Sequence, residues 1–85
     1  MRIKYTKDFE KSFKILPTKI QLLFRKQESI FQNDPRDPRL HAKILSGDTR
    51  NFSFRVTREY RVIFTFIEPE IVIFYEIGHR KDVYD

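Results

Sequence analysis

The carboxyl-terminal end of the chain concentrates residues that can hold a phosphate or move a proton. An apolar run from Ile71 to Ile77 stops at Gly78, and the next six residues include His79, Arg80 and Tyr84. Small scaffolds commonly build sites where a strand ends in a loop or tail. Guanidinium groups hold phosphate through charge-assisted hydrogen bonds, and imidazole and phenol groups can transfer protons. The pattern indicates phosphate chemistry at this strand end.

Two predicted strands carry further arginines on one face. Apolar and polar residues alternate from Phe52 to Val56 and from Tyr60 to Phe66, which is the period of a half-buried strand. A hairpin with the loop 57–59 sets Arg55 directly opposite Arg61, on what we call the arginine face of the sheet. Like charges in this position cost about 0.2 to 1 kcal/mol, whereas a phosphate between them would be held firmly. Together with the tail, the pair predicts an RNA-cleaving surface.

A two-residue turn at Pro69-Glu70 predicts the register of the last two strands. Its core pairs are Phe66 with Ile73, Phe64 with Tyr75, and Val62 with Ile77. Arg61 then lies opposite Gly78, which brings the tail beside the arginines. The same register places three further residues on the arginine face: Glu76, Val72 and Phe74. We therefore expect this face to be partly apolar, and we expect an apolar groove that an acidic, partly disordered partner could fill.

The first half of the chain predicts a strand and a helical hairpin. Residues Ile3 to Thr6 read as a short edge strand, and Thr6 or Asp8 can cap a helix that ends at Pro17. A second helix begins near Thr18, a candidate N-cap, and carries an apolar stripe of Ile20, Leu23, Phe24, Ile30 and Phe31. Two prolines make residues 33–39 a loop.

Length, charge and cysteine content limit the classes of protein to consider. The chain has 85 residues, too few for two separate cores, so we expect one domain over residues 1–85. A net charge of +5 favours RNA or DNA as partner, although an acidic protein or a need for solubility accounts for it too. Without Cys, signal peptide or membrane-length apolar run, the protein is expected in the cytoplasm.

In order and spacing, these segments resemble the RelE branch of the RelE/ParE superfamily, the toxins of bacterial type II toxin-antitoxin pairs. The resemblance covers nearly the whole chain and includes the strand and helical hairpin, Leu45-Ser46-Gly47, Phe52 to Val56, Tyr60 to Phe64, Ile77-Gly78-His79-Arg80 and Val83-Tyr84. It implies an α+β fold, with the N-terminal strand and helical hairpin packed on a twisted antiparallel sheet. It also implies a ribosome-dependent mRNA endonuclease that acts in the A site of the 70S ribosome and is neutralised by a cognate antitoxin.

The resemblance also assigns site residues by position. Arg61 and Arg80 match the catalytic arginines, Tyr84 the C-terminal catalytic tyrosine, and Arg55 a basic residue that acts in proton transfer or phosphate stabilisation. The family has a second basic residue at the position that Ser53 occupies in this chain. The resemblance therefore implies a different division of the catalytic work among the remaining site residues. The residues expected to contact RNA are Ser53, His79, Lys81 and Lys43. No metal and no organic cofactor are expected.

Cleavage of RNA by its own 2′-hydroxyl requires a base, an acid and positive charge on the phosphorane. Arginines supply fixed charge but stay protonated, so Tyr84 is the first candidate for proton transfer. The alternatives are His79, His41 and Glu76. Two histidines far apart in sequence, with no carboxylate at ligand spacing, give no indication of a metal site.

Structural interpretations of the same residues stay open. Arg61 could pair with Glu76 across the sheet, Tyr84 could hold the tail down as a hydrophobic plug, and His79 could cap the strand end. Two other functions also fit: inhibition of DNA gyrase, as in the ParE branch, or a catalytically inactive relative that binds only an antitoxin or RNA. The antitoxin, the codon preference and the stoichiometry of the complex do not follow from this sequence.

Overall fold

The computed structural model describes residues 1–45 and 50–83. Its elements are β1 (Arg2–Tyr5), α1 (Lys7–Lys14), α2 (Thr18–Asn33), a 3-10 turn (Pro38–Leu40), β2 (Lys43–Ile44), β3 (Phe52–Arg55), β4 (Tyr60–Glu68), β5 (Ile71–His79) and α3 (Arg80–Val83). The helical hairpin of α1 and α2 packs on one face of the sheet, and the arginine face is the other. The α+β arrangement predicted from the sequence is confirmed.

The five strands lie in the order β1-β5-β4-β3-β2. The β5-β4, β4-β3 and β3-β2 pairs are antiparallel, whereas β1 runs parallel to β5. The sheet is therefore mixed: β2 to β5 form the predicted antiparallel sheet, and β1 adds a parallel strand at its edge. A parallel pair needs a long crossover connection, and here nearly the whole chain, including the helical hairpin, lies between the two paired strands.

Aromatic rings fill the space between the helices and the sheet. Phe24 and Phe31 of α2 are fully buried, as are Phe54 of β3 and Phe74 of β5. The ring of Phe31 lies 5.3 Å from that of Phe54 and 5.3 Å from that of Phe74. Offset and edge-to-face contacts of this kind add to the burial of apolar area. The predicted stripe on α2 therefore forms the core.

Thr6 and Pro17 mark the starts of the two long helices. The hydroxyl of Thr6 accepts a hydrogen bond from the N–H of Phe9 at 3.0 Å, which confirms the predicted cap of α1. The second cap differs from the prediction, because Pro17 occupies the N-cap position and Thr18 is the first helical residue. The carbonyl of Pro17 accepts the first helical bond, from Ile20 at 2.9 Å.

A β-bulge at Tyr75 changes the predicted register of β4 and β5. Val62 pairs with Ile77 as expected, but Phe64 pairs with Phe74 instead of Tyr75, and a second irregularity follows Phe66. The extra residue turns each side chain beyond the bulge to the opposite face of the sheet. The placement of Val72 and Phe74 on the arginine face was therefore wrong: both side chains are 0% exposed in the core, and neither can line an open apolar groove.

Candidate active site on the arginine face

Arg55 and Arg61 form the centre of the candidate site. They are directly opposite partners in β3 and β4, as predicted. The N–H of Val56 donates to the carbonyl of Tyr60 at 2.9 Å, so the arginines occupy the next, non-hydrogen-bonded position, where facing Cα atoms are about 4.5 Å apart. Arg61 is only 5% exposed, whereas Arg55 is half-buried. Two guanidinium groups therefore share one small area of the sheet.

A second row of side chains crosses the arginine face beside this pair. Lys43 pairs with Ser53, Ser53 with Ile63, and Ile63 with Glu76. Paired residues in a sheet point to the same side, so the row lies on the arginine face. Ser53 is buried, at 1% exposure, and Lys43 is exposed. Both predicted RNA contacts thus lie on the same face as Arg55, with Glu76 at the far end of the row.

Gly78 allows the tail to fold over the arginine face. It pairs with Arg61, and a Cβ atom at this position would lie 3.3 Å from Cγ1 of Val83. The missing side chain therefore leaves the space in which α3 packs beside Arg61. The N–H of Arg80, the first residue of α3, donates to the carbonyl of Glu59 at 2.7 Å. This bond joins the start of the tail to the turn between β3 and β4.

Glu59 and His79 organise the start of α3. The Nδ1 atom of His79 accepts a hydrogen bond from the N–H of Lys81 at 3.2 Å, and its Nε2 atom lies 3.3 Å from a carboxylate oxygen of Glu59. The same oxygen lies 3.9 Å from Nε of Arg80. The ring of His79 is on the helical side of the sheet, 5.6 Å from the ring of Tyr60. His79 therefore caps the tail, and its ring does not join the arginines.

Some predicted residues lie outside this arrangement. Tyr84 lies outside the described residues, as does the Ser46-Gly47 step. Arg80 is half exposed, and Lys81 is exposed. His41 is in the segment before β2, with a left-handed φ of 48°, and lines a different cavity of about 860 Å³.

Gln27 is a buried polar residue that the sequence did not reveal. Its side-chain amide donates to the carbonyl of Arg55 at 2.8 Å and to that of Arg39 at 3.1 Å. It ties the last residue of β3 to α2 and so fixes the backbone that carries Arg55. In the sequence Gln27 interrupts the apolar stripe of a helix, which is the signal that could have found it.

The described residues contain no group of three or more His, Asp or Glu side chains arranged to hold a metal ion. Within the same ranges, no helix has the length and apolar character needed to cross a membrane. Arg55 and Arg61 supply the arginine face with fixed positive charge. Such charge stabilises a pentacoordinate phosphate.

The fold is that of solved RelE-like toxins, which confirms the resemblance predicted from the sequence. One similar structure is a RelB-RelE antitoxin-toxin complex from Methanococcus jannaschii, with 25% identity over 96% of this chain and 95% of that chain and a TM-score of 0.77. Another is YafQ from E. coli, with 15% identity, full coverage of both chains and a TM-score of 0.79.

A third similar structure is a YoeB/ParE toxin from Agrobacterium tumefaciens, with 13% identity over 93% of this chain and 98% of that chain and a TM-score of 0.78. No protein-family model matches the sequence, and no curated protein sequence matches it either. RelB-RelE and DinJ-YafQ toxin-antitoxin complexes are among these structural neighbours.

Proposed function

We propose that this protein is the toxin of a type II toxin-antitoxin pair and a metal-independent endoribonuclease that cleaves translated mRNA on the ribosome. The observation that carries the proposal is the facing pair of Arg55 and Arg61, with Arg61 almost fully buried. Like charges that face each other in a sheet cost stability, and two neighbouring guanidinium groups can hold a phosphate through bidentate hydrogen bonds.

The proposed reaction is attack of a ribose 2′-hydroxyl on the adjacent phosphorus. The O2′–P bond forms, the P–O5′ bond breaks, and the products are a 2′,3′-cyclic phosphate and a free 5′-hydroxyl. Arg55 and Arg61 hold the phosphate and stabilise the negative charge of the phosphorane, with Arg80 at the edge of the site. The 2′-hydroxyl loses one proton and the leaving 5′-oxygen gains one, and Tyr84 carries out one of these two transfers.

The proposed partners follow from the same class of protein. Structural neighbours include toxins in complex with the antitoxins RelB and DinJ, which supports a cognate antitoxin for this chain. The A site of the ribosome is the proposed place of action, because a translated mRNA is threaded there as a single strand. The cytoplasm is the corresponding location.

The test is an in vitro translation reaction with the purified protein, in which mRNA ends are mapped by primer extension with and without ribosomes. We expect cuts within codons only when ribosomes are present. Arg61→Ala should lower the cleavage rate by about 10²- to 10³-fold, and Arg61→Lys should recover only part of it because lysine cannot bind in a bidentate manner. Circular dichroism spectra verify that the variants fold.

Arg36→Ala is the matched control, because Arg36 is an exposed arginine in the turn after α2. It should cleave at the rate of the unaltered protein. Full activity of folded Arg61→Ala would exclude the proposed site. A gyrase supercoiling assay run in parallel tests the ParE-like alternative: inhibition of gyrase with intact mRNA would replace the nuclease proposal, and inactivity in both assays would leave a binding protein.

A further inference from the structure

The bulge in β5 turns an aromatic ring outward beside the candidate site. In the regular register Tyr75 would have paired with Phe64 and faced the core. Instead Glu76 pairs with Ile63 and Phe74 with Phe64, which leaves Tyr75 as the extra residue, 38% exposed. Bulges are frequent next to active sites, where they redirect a side chain.

Thr6 holds this bulge in place. Its hydroxyl donates to the carbonyl of Tyr75 at 2.7 Å and also accepts from the N–H of Phe9 as the cap of α1. The N–H of Thr6 donates to the carbonyl of Phe74 at 3.2 Å. The carbonyl that the bulge removes from the ladder is therefore satisfied by a specific side chain, and the outward ring belongs to a built feature of the fold.

The exposed ring lines a concave surface of about 1000 Å³. Thr65, Ile67 and Ile73 form part of its wall, and Arg50 stands at its edge. The hydroxyl of Thr65 donates to the carbonyl of Arg50 at 2.5 Å, which fixes the backbone there. Arg50 is the charged residue among the described residues that line this surface, and a guanidinium group suits a phosphate.

The surface and the arginine pair are joined by β5, which carries Tyr75 and the residue opposite Arg61, Gly78. Tyr75 is three residues before Gly78 on the same strand, which is a separation of about 10 Å. Glu76 lies between them and excludes a phosphate from that point, but a nucleobase carries no charge. A chain whose scissile phosphate lies at Arg55 and Arg61 can therefore lay a neighbouring base on Tyr75.

Resting on the proposed nuclease function, we propose that Tyr75 is a stacking subsite for a nucleobase of single-stranded RNA that flanks the scissile phosphate. Aromatic rings that stack bases beside a positively charged groove are the usual means of binding single strands. A protein partner would need apolar side chains and acidic groups to match the same surface, and the exposed ring beside an arginine favours the nucleic acid. The role of Tyr75 is in binding, and it takes no part in bond making.

The test uses a short single-stranded RNA with 2′-O-methyl groups, which cannot be cleaved. Tyr75→Ala should raise the Kd for this RNA about tenfold, and Tyr75→Phe should keep it within about twofold, because the ring supplies the stacking energy. In the translation assay Tyr75→Ala should raise KM and leave kcat near that of the unaltered protein. The chain has no Trp, so Tyr75→Trp gives a unique fluorophore whose emission should be quenched by the RNA.

Leu22→Trp is the control, since Leu22 is a 67% exposed residue of α2 on the opposite side of the molecule; its emission should not respond. The subsite would be overturned if Tyr75→Ala bound the RNA with unaltered affinity. It would be overturned equally if the RNA bound Tyr75→Trp without quenching its fluorescence. The subsite would also be overturned if Tyr75→Ala released a bound antitoxin while it retained its affinity for RNA. That result would assign the surface to the protein partner. Failure of the nuclease proposal is distinguishable, because it appears as intact mRNA in the translation assay.

Discussion

Replacing Arg55 with glutamine should make the protein more stable and less active. Arg55 and Arg61 are opposite partners on the sheet, and facing like charges cost about 0.2 to 1 kcal/mol. Arg55 is half-buried, so solvent screens part of this repulsion, and about 0.2 to 0.5 kcal/mol remains. For a chain of this size, that gain raises Tm by about 1 to 4 °C.

The loss of activity in Arg55→Gln should be far larger than the gain in stability. One donor fewer on the phosphorane lowers the cleavage rate by about 10²- to 10³-fold. The backbone carbonyl of Arg55, which accepts the bond from Gln27, is unaffected by the change. Thermal unfolding followed by circular dichroism gives Tm, and primer extension in the translation assay gives the rate.

Arg58→Gln is the control for Arg55→Gln, because Arg58 is an exposed arginine in the turn between the same two strands. It should change neither Tm nor the rate appreciably. About 1 M salt should reduce, without abolishing, the difference in Tm between Arg55→Gln and the unaltered protein. The screening length is then about 3 Å, but the nearly buried Arg61 is screened less than an exposed charge. A lower Tm for Arg55→Gln at low salt, or a rate equal to that of the unaltered protein, would refute the reasoning.

Three other changes test features around the site. Gly78→Ala adds a Cβ atom 3.3 Å from Val83 and should lower the cleavage rate by displacing α3; the double variant with Val83→Ala should recover the rate, and a Gly78→Ala protein with full activity would contradict the packing. Gln27→Leu leaves two partly buried carbonyls without their donor and should lower the free energy of unfolding by about 1 to 3 kcal/mol; an unchanged urea midpoint would count against it. Burial and the neighbouring carboxylate of Glu28 raise the pKa of Tyr5 to about 12. The stabilisation contributed by the protonated side chain of Tyr5 is therefore complete below pH 10 and is lost as the pH rises to 12. Urea unfolding across this pH range should show the loss of stability in the unaltered protein and not in Tyr5→Phe.

Several features of the fold could be predicted because they depend on neighbours in the sequence. The alternation in β3 and β4 and the three-residue loop between them determine that Arg55 faces Arg61. The stripe on α2 predicts the burial of Phe24 and Phe31. A strand with one buried face tolerates only those pairing registers that keep its apolar side chains in the core. The local pattern was therefore sufficient to predict the β3-β4 pairing and the buried stripe of α2.

Other features depend on contacts between distant parts of the chain. The position of Arg80 beside the sheet depends on α3, a four-residue helix whose start is held by the carbonyl of Glu59 in the turn between β3 and β4. His79 has the residue type of a catalytic group, but the N–H of Lys81 and the carboxylate of Glu59 hold its ring on the other face. The spacing of His79 in the sequence does not distinguish a catalytic role from a structural one.

The sequence by itself determined the arginine pair, the helical hairpin and the turns, since each follows from periodicity within one or two adjacent elements. Tertiary structure alone decided the parallel pairing of β1 with β5 and the bulge at Tyr75. Both depend on β1 and Thr6 lying against β5, some seventy residues away along the chain. One extra residue in a strand turns every side chain beyond it to the other face. The bulge, whose carbonyls at Phe74 and Tyr75 bond to Thr6, therefore places Val72 and Phe74 in the core and Tyr75 outside it.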